Sequence, residues 1–201
     1  PGLWAEDTYW ETIGLDIISE LRNRGILAKM TRGERISLFE RGRQRLQEKS
    51  RRLEARPDVT FIEFGTRRRF SKEWQNYVIQ RLMEELPPAQ FLGTSNTYFA
   101  MKYGLLAMGT FAHERDSILA GVMDDGSCNW IANAVARNRR DWWDMYGAGL
   151  SIDLPDTFGT NFSLFVMTRE QARNWKGMRQ DSGAPIAFGE KAIMFYQDCG
   201  V

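Results

Sequence analysis

Two rhythms of apolar residues divide the chain near Pro57. Before Pro57 the apolar side chains recur at three- and four-residue intervals, which is the spacing of one helix face. A first helix is predicted over Tyr9–Arg24, with Gly25 as its end. A capping-box pattern at Thr31–Glu34, a threonine followed three residues later by a glutamate, predicts the start of a second, strongly charged helix. The first third of the chain is therefore predicted to be helical.

After Pro57, short runs of β-branched and aromatic residues alternate with helical stretches. This alternation predicts an α/β protein with a parallel sheet or barrel. The stretch Phe162–Thr168 fits neither pattern clearly and is left open. The predicted strands are Val59–Phe64, Phe91–Thr94, Leu105–Met108, Leu150–Leu154 and Lys176–Arg179, and the predicted helices are Lys72–Glu85, Thr97–Tyr103, Arg115–Met123, Asn129–Tyr146, Arg169–Trp175 and Ala187–Asp198.

Polar residues cluster where the predicted strands end. In parallel α/β folds, ligands bind at the carboxyl edge of the sheet, against the loops that follow the strands. Glycine lets the backbone approach a ligand, and arginine binds a carboxylate or a phosphate at two points. The sequence therefore predicts a ligand site built from five loops. These are Gly65–Arg69, Gly93–Asn96, Gly109–Glu114, Pro155–Thr160 and Arg179–Gly183.

Each of these loops has a simpler interpretation when it is taken alone. The run Arg67–Arg69 is typical of a solvated basic face or of a nucleic-acid patch, and the net charge of +1 disfavours the nucleic acid. If it continues a strand, neighbouring side chains point to opposite faces, and one or two of the three arginines enter a pocket. The pair Asp153 and Asp156 fits a helix cap and a turn as well as it fits a ligand site. The segment Asp181–Gly183 is equally typical of a turn.

His113 is the single histidine of the 201 residues. A lone histidine is more often a packed structural residue than a catalyst. Here it follows a predicted strand in a Gly-Thr-x-x-His-Glu loop, with Glu114 next to it, and a nearby carboxylate can orient the ring. Imidazole titrates near neutral pH and can act as a nucleophile, so this position favours a functional role.

The amino-acid composition limits the classes of partner that we expect this protein to bind. The chain has 27 basic and 26 acidic residues and a formal net charge of +1, which gives no reason to expect a nucleic acid or an anionic membrane as a partner. No apolar run is long enough to span a bilayer, and the first residues do not resemble a signal peptide. The two cysteines, Cys128 and Cys199, match neither a disulfide framework nor a metal-binding spacing. We therefore expect a cytoplasmic protein.

Taken together, the loop segments resemble those of nicotinate phosphoribosyltransferases. The matching segments occur in the order and with the approximate spacing of that family, and the combination is far more specific than any one motif. They are FGTRRRFS (Phe64–Ser71), FLGTSN (Phe91–Asn96), MGTFAHE (Met108–Glu114), DTFGT (Asp156–Thr160) and RQDSGAP (Arg179–Pro185).

The resemblance implies both a fold and a reaction. It implies an incomplete, irregular α/β barrel over residues 58–201, preceded by a helical segment over residues 1–57. Nicotinate would be joined to phosphoribosyl pyrophosphate, which gives nicotinate mononucleotide and pyrophosphate in NAD salvage. ATP hydrolysis would be coupled through a phosphohistidine. Mg²⁺ would enter with the substrate rather than by direct protein ligation, and the full-length enzyme would be a homodimer.

The same resemblance implies roles for the catalytic residues. By motif match, His113 would be the phosphorylated residue, with Glu114 beside it. Asp156 and Asp181 would hold the ribose hydroxyls or the metal-bound pyrophosphate.

The remaining motif residues would bind the substrates. Phe64 would stack on the pyridine ring, Arg179 would meet the nicotinate carboxylate, and Arg67 would bind phosphate or pyrophosphate. Ser95 stands where nicotinamide-specific relatives carry an acid, and a neutral hydroxyl suits a negatively charged substrate. The expected substrate-binding set is completed by Gly93, Thr94, Ser182 and Gly183.

The sequence departs from the family pattern in three ways. Complete members are considerably longer, so we expect these 201 residues to be a central part that is inactive alone. Arg115 stands where the family has an aromatic residue, and Ala184 stands where it often has an acid. Two alternatives stay open: a nicotinamide-using phosphoribosyltransferase, and a short non-catalytic relative that binds a nucleotide or a partner chain.

Overall fold

A computed structural model describes residues 4–201, with side chains from residue 10 onward. The start of the chain, whose composition argued against a signal peptide, lies partly outside the described residues. The chain forms two compact units, one that extends to Met108 and one from Gly109 to Val201. Among the described helices, none is both long enough and apolar enough to cross a bilayer.

The first unit combines long helices with a small parallel sheet. The sheet has the order β1-β2-β3, so β2 is the central strand. In chain order the elements are α1 (Trp4–Ala28), α2 (Arg32–Glu54), β1 (Phe61–Glu63), a 3-10 turn (Thr66–Arg68), α3 (Lys72–Glu85), β2 (Phe91–Thr94), α4 (Thr97–Tyr103) and β3 (Leu106–Ala107).

The predicted end of the first helix at Gly25 is wrong, because α1 continues through this residue to Ala28. A glycine ends a helix when it adopts a positive φ, and Gly25 is not among the glycines that do so. Inside a helix a glycine costs only about 1 kcal/mol relative to alanine, which neighbouring turns tolerate. The capping box of α2 is confirmed: the Thr31 side chain accepts from the Glu34 amide, and the Glu34 carboxylate accepts from the Thr31 amide.

The three strands of the first unit are parallel and short. Glu63 of β1 lies opposite Thr94 of β2, and Gly93 of β2 lies opposite Leu106 of β3. A Cβ atom at Gly93 would lie 2.1 Å from the backbone oxygen of Leu106, so only glycine allows this pairing. The apolar core of this unit is made of Ile79, Leu82, Leu86, Phe91 and Phe99, and Phe91 belongs to β2 itself.

The second unit begins with the helix that carries the histidine. Its two strands, β4 and β5, also pair in parallel. In chain order its elements are α5 (His113–Val122), α6 (Trp130–Tyr146), a 3-10 turn (Gly147–Leu150), β4 (Ile152–Asp153), α7 (Thr160–Val166), α8 (Arg169–Asn174), β5 (Gly177–Met178) and α9 (Pro185–Cys199).

Aromatic side chains form much of the core of the second unit. Phe111, Leu154 and Trp175 are buried together, with Trp142 and Trp143 packed against them. A buried ion pair joins α6 to β4: the guanidinium of Arg139 binds the carboxylate of Asp153 at two points, 3.0 Å and 2.8 Å, and both side chains are 1% exposed. Asp153 is therefore neither the cap nor the turn residue that the sequence suggested.

The fold class is mixed helix and sheet with parallel strands, as predicted. Over residues 4–201 the five strands form two separate sheets and no closed barrel, so the barrel stays a prediction. The stretch left open in the sequence is largely helical, since α7 covers Thr160–Val166.

Candidate active site

His113 is the first residue of α5, directly after the loop that follows β3. Two residues earlier, Phe111 is 3% exposed and packs against Trp142 and Trp175, which anchors this loop in the core. The histidine side chain itself is about one-third exposed, at 36%. The ring is therefore held by its neighbours and still open to a ligand.

Two carboxylates lie next to the same ring nitrogen of His113. The Nε2 atom is 3.3 Å from Oδ2 of Asp181 and 3.5 Å from Oδ1 of Asp156. Asp156 follows β4 and Asp181 follows β5, so both acids come from the carboxyl ends of neighbouring parallel strands. One ligand atom from each of the three side chains lies within 4.8 Å of the others. The second unit thus brings together three residues that lie 25 to 68 positions apart in the sequence.

Arg179 stabilises the ionised form of the Asp181 carboxyl. Its guanidinium donates to the Asp181 carboxylate and to Oγ1 of Thr110, the latter at 3.0 Å. Partial burial raises the pKa of the Asp181 carboxyl, but the hydrogen bond and charge of Arg179, together with His113, outweigh it and lower the pKa below its ordinary value. Asp181 is therefore ionised at neutral pH.

The loop after β5 also touches Asp156. The hydroxyl of Ser182 donates to Oδ2 of Asp156 at 2.6 Å, and this contact joins the two strand-end loops. Ser182 and Gly183 are exposed, and Gly183 has a φ of +81°, which only glycine adopts without strain. Glu114 is half-buried in the first turn of α5.

The sequence analysis missed two residues of this site. Thr157 lies 2.9 Å from Nδ1 of His113, and its hydroxyl donates to Oδ2 of Asp116 at 2.9 Å. Asp116 is 3% exposed and stands one helical turn after the histidine. A visible signal was this spacing, because an acid three residues after His113 shares its helix face. Thr157 was part of a matched motif but had been given no role.

The first unit holds the other predicted site residues around Glu63, which the sequence analysis also missed. Its carboxylate accepts hydrogen bonds from the Thr94 hydroxyl at 2.7 Å and from the Gly65 amide at 2.7 Å. Its backbone oxygen accepts from the Ser95 amide at 2.9 Å. Thr94 is fully buried, so its hydroxyl serves Glu63 and holds the loop that carries Ser95.

The three consecutive arginines do not continue a strand. Residues 66–68 form a 3-10 turn, so the expected alternation between two faces is wrong. Arg67 is partly exposed and lies 2.9 Å from Glu11, whereas Arg69 is mostly buried, with its Nε atom 2.5 Å from Asp16. Arg69 therefore ties the turn to α1. Phe64, just before the turn, is 40% exposed.

Burial and charge also shift the pKa of Asp16, the acid that contacts Arg69. Burial raises the pKa of the Asp16 carboxyl above its ordinary value, although the Arg69 charge opposes this. This contact is structural: it holds α1 against the turn and uses the third arginine of the run.

The part of the chain that carries these site residues matches a known protein family. Residues 59–201 match the nicotinate phosphoribosyltransferase (NAPRTase) family. The whole chain superposes on two solved structures, nicotinate phosphoribosyltransferases from Porphyromonas gingivalis and Vibrio cholerae, each with 30% identity and a TM-score of 0.75. It covers 48% and 46% of those two chains, so it spans about half their length.

Proposed function

The chain belongs to the nicotinate phosphoribosyltransferase family, and we propose that it provides the site at which nicotinate is joined to phosphoribosyl pyrophosphate. The observation that carries the proposal is the meeting of His113, Asp156 and Asp181 at the carboxyl ends of β4 and β5. The products would be nicotinate mononucleotide and pyrophosphate. Bond breaking at the ribose anomeric carbon builds positive charge, so the site must position the substrates and neutralise the leaving group.

His113 would couple ATP hydrolysis to this transfer by accepting a phosphoryl group. The ring is about one-third exposed and is held from both sides, by Thr157 at Nδ1 and by the two carboxylates at Nε2. A nucleophile fixed in this way needs little reorganisation before it reacts.

Asp156 and Asp181 would face the ribose hydroxyls or the Mg²⁺ bound to pyrophosphate. Carboxylate oxygens suit Mg²⁺, which keeps several waters and usually binds proteins through one or two carboxylates plus substrate phosphates. The two acids and their distance to His113 fit a hydrated Mg²⁺ that arrives on the diphosphate. Mg²⁺ would supply charge neutralisation of the leaving pyrophosphate.

By motif match, further residues would bind the nicotinate and phosphate groups. Phe64, which is 40% exposed, would stack its aromatic ring on the pyridine ring. Arg67 can exchange its surface contact with Glu11 for a phosphate, since surface ion pairs contribute little free energy. Ser95, held by Glu63 through its backbone amide, would present a neutral hydroxyl to the anionic substrate.

By its match to the family motif, Arg179 would meet the nicotinate carboxylate. It now binds Asp181 and Thr110, so substrate binding would redistribute its donors between the acid and the ligand. Guanidinium suits this exchange because it has five N–H donors in a planar fork.

The proposal is tested by measuring nicotinate mononucleotide formation in the natural protein with and without ATP. The variant His113→Ala should lose the stimulation by ATP, while Lys191→Ala, a change at an exposed position of α9, should keep it. Mass spectrometry of protein incubated with ATP should show one added phosphoryl group that His113→Ala lacks. Unchanged ATP stimulation in His113→Ala would refute the role of the histidine.

A further inference from the structure

The carboxylate of Glu63 joins the two loops that follow β1 and β2. Within its own loop it accepts a hydrogen bond from the Gly65 amide at 2.7 Å, which spans Phe64. Across the sheet it accepts one from the Thr94 hydroxyl at 2.7 Å, and Thr94 directly precedes Ser95. One side chain is therefore bonded beside both Phe64 and Ser95, the two residues that would bind the pyridine ring and its substituent by motif match.

The backbone of Glu63 holds the same serine a second time. Its carbonyl oxygen accepts from the Ser95 amide at 2.9 Å. The Thr94 hydroxyl gives its one proton to Glu63 and accepts from the Asn96 amide at 3.0 Å. Thr94 is fully buried, so solvent cannot take the place of these partners. The backbone on both sides of Ser95 is thus fixed by bonds that end at Glu63.

A buried glutamine of α3 supplies the third donor to Glu63. The guanidinium of Arg69 can only donate, and it donates to Oε1 of Gln75 at 3.3 Å. The amide nitrogen of Gln75 then faces Glu63, where it lies 3.1 Å and 3.0 Å from the two carboxylate oxygens. The same nitrogen donates to the Thr66 hydroxyl at 3.0 Å. Gln75 is 3% exposed, so the carboxylate is held from the interior of the unit.

The glycine at position 65 leaves room for the carboxylate of Glu63. A Cβ atom at Gly65 would lie 2.7 Å from Oε1 of Glu63, a distance at which one of the two atoms must move. The backbone of Gly65 has a φ of −101°, which a residue with a side chain also adopts. The glycine is therefore required by the position of the Glu63 carboxylate and not by its own backbone.

We propose that Glu63 is a positioning residue that holds Phe64 and Ser95 in one fixed relation and thereby sets the discrimination between a ring carboxylate and a ring carboxamide. This inference rests on the proposed function. The two ring substituents have nearly the same shape and differ in charge and in hydrogen-bond donors, so polar groups must be held closely in place to tell them apart. Glu63 acts through its neighbours, because its two carboxylate oxygens already accept hydrogen bonds from three donors.

The informative variant is Glu63→Gln, which separates the two contacts of the carboxylate. The introduced amide accepts only at its oxygen, and the Gly65 amide can only donate, so that oxygen stays with Gly65. The introduced nitrogen then faces Thr94, whose hydroxyl loses its acceptor and its hold on the loop of Ser95. In the natural protein, the ratio of kcat/KM for nicotinate over nicotinamide should fall about tenfold. The change should lie in KM for nicotinate rather than in kcat, because a binding contact is weakened.

The matched control is Glu85→Gln, the same chemical change at another half-buried glutamate of the first unit. The carboxylate of Glu85 accepts from Arg81 near the end of α3, away from the contacts of Glu63. This variant should keep the nicotinate-to-nicotinamide ratio of the unchanged protein. An equal fall of the ratio in both variants would mean that it follows a general loosening of the unit, and would overturn the positioning role.

A pair of variants at Thr94 keeps the test decisive if Glu63→Gln does not fold. Thr94→Ser retains the hydroxyl that Glu63 accepts from and should keep the ratio of the unchanged protein. Thr94→Val removes the hydroxyl at similar volume and should lower the ratio as Glu63→Gln does. Where both single variants fold, their losses should not multiply in the double variant, because each removes the same hydrogen bond. Equal ratios for Thr94→Ser and Thr94→Val would count against the proposal.

The positioning role of Glu63 and the proposed function fail in different ways. Calorimetry with nicotinate and with nicotinamide measures the discrimination in binding without any reaction. If Glu63→Gln lowers this discrimination while the unchanged protein forms no nicotinate mononucleotide, the positioning role stands and the proposed reaction is wrong. If the unchanged protein forms nicotinate mononucleotide and Glu63→Gln keeps the full preference for nicotinate, the positioning role is wrong and the proposed function stands. Both are wrong if the unchanged protein binds neither compound.

Discussion

Arg139 and Asp153 form an ion pair inside the second unit, and the strand that it holds leads directly to Asp156. The guanidinium binds both carboxylate oxygens and also donates to Oγ of Ser163 in α7 at 2.5 Å. The backbone oxygen of Asp153 accepts from the Arg179 amide at 2.7 Å. One buried contact therefore connects α6, α7 and both strands on which the candidate site is built.

Removing one partner of this pair should destabilise the protein strongly. Asp153→Asn leaves the Arg139 guanidinium buried without its counter-charge, which typically costs about 3–5 kcal/mol in the free energy of unfolding. Chemical denaturation measures the change. The double variant Arg139→Met/Asp153→Leu should cost less than Asp153→Asn, because no unpaired charge remains.

The matched control is the exposed pair of Arg43 and Glu40 on α2. Glu40→Gln should change the free energy of unfolding by less than about 1 kcal/mol, since exposed ion pairs contribute little. Equal losses for Asp153→Asn and Glu40→Gln would contradict the importance of burial here.

Gly93→Ala should disrupt the pairing of β2 with β3. The added Cβ would lie 2.1 Å from the backbone oxygen of Leu106, so the strands must separate. We expect a loss of at least about 2 kcal/mol, the range of overpacking in a well-packed region. Gly25→Ala is the control, since nothing lies within 4 Å of that position inside α1 and alanine favours helix. It should leave stability unchanged or raise it by up to about 1 kcal/mol.

Asp181 predicts a pH dependence of stability. Its pKa is lower in the folded protein than in the unfolded chain, so its ionised form stabilises the fold at neutral pH, and this contribution is lost as the pH falls through the folded-state pKa. Asp181→Asn should cost about 1–3 kcal/mol at pH 7, the usual range for a charged hydrogen-bond partner. The difference from the unchanged chain should shrink below about pH 4. The exposed Asp198→Asn should show no such closing gap; a constant difference for Asp181→Asn would argue against the contact.

Ser95→Asp should weaken the use of nicotinate. A carboxylate at this position would repel the anionic substrate that we propose, and a penalty of about 1.4 kcal/mol lowers kcat/KM about tenfold. Competition between nicotinate and nicotinamide in the natural protein measures the shift, with Ser95→Asn as the neutral control. The assignment of Ser95 would fail if Ser95→Asp kept the selectivity of the unchanged protein.

Helices were predicted well where the sequence carries a signal for both the start and the end of the helix. The helix Lys72–Glu85 is confirmed to the residue, because Ser71 caps its start and Pro87 and Pro88 follow its end. Gly25 shows the opposite case. The end of α1 was predicted there only because the residue is a glycine, but Gly25 does not adopt a positive φ and the helix continues to Ala28. The strand Phe91–Thr94 is also confirmed to the residue, but the other four strands are shorter than predicted, since apolar runs do not reveal where ladder hydrogen bonds stop.

Tertiary contacts account for what the sequence could not reveal about the site. The loops at the strand ends were visible as polar clusters, and they supply His113, Asp156 and Asp181. The contact between Thr157 and Asp116 joins residues 41 positions apart, and nothing in either segment encodes the other. Asp153 likewise looked like a cap until the fold placed Arg139 beside it.

The distances along the chain between His113 and its contacts carry a consequence for biosynthesis. Thr157 follows the histidine by 44 residues and Asp181 follows it by 68. At about 5–20 residues per second, the ribosome adds Asp181 about 3–14 s after His113. During that interval the nascent chain lacks at least one of the residues that contact the imidazole, and a polypeptide released between Thr157 and Asp181 would have Asp156 and Thr157 without Asp181. The set of contacts that holds His113 is therefore complete only after Asp181 has been added to the chain.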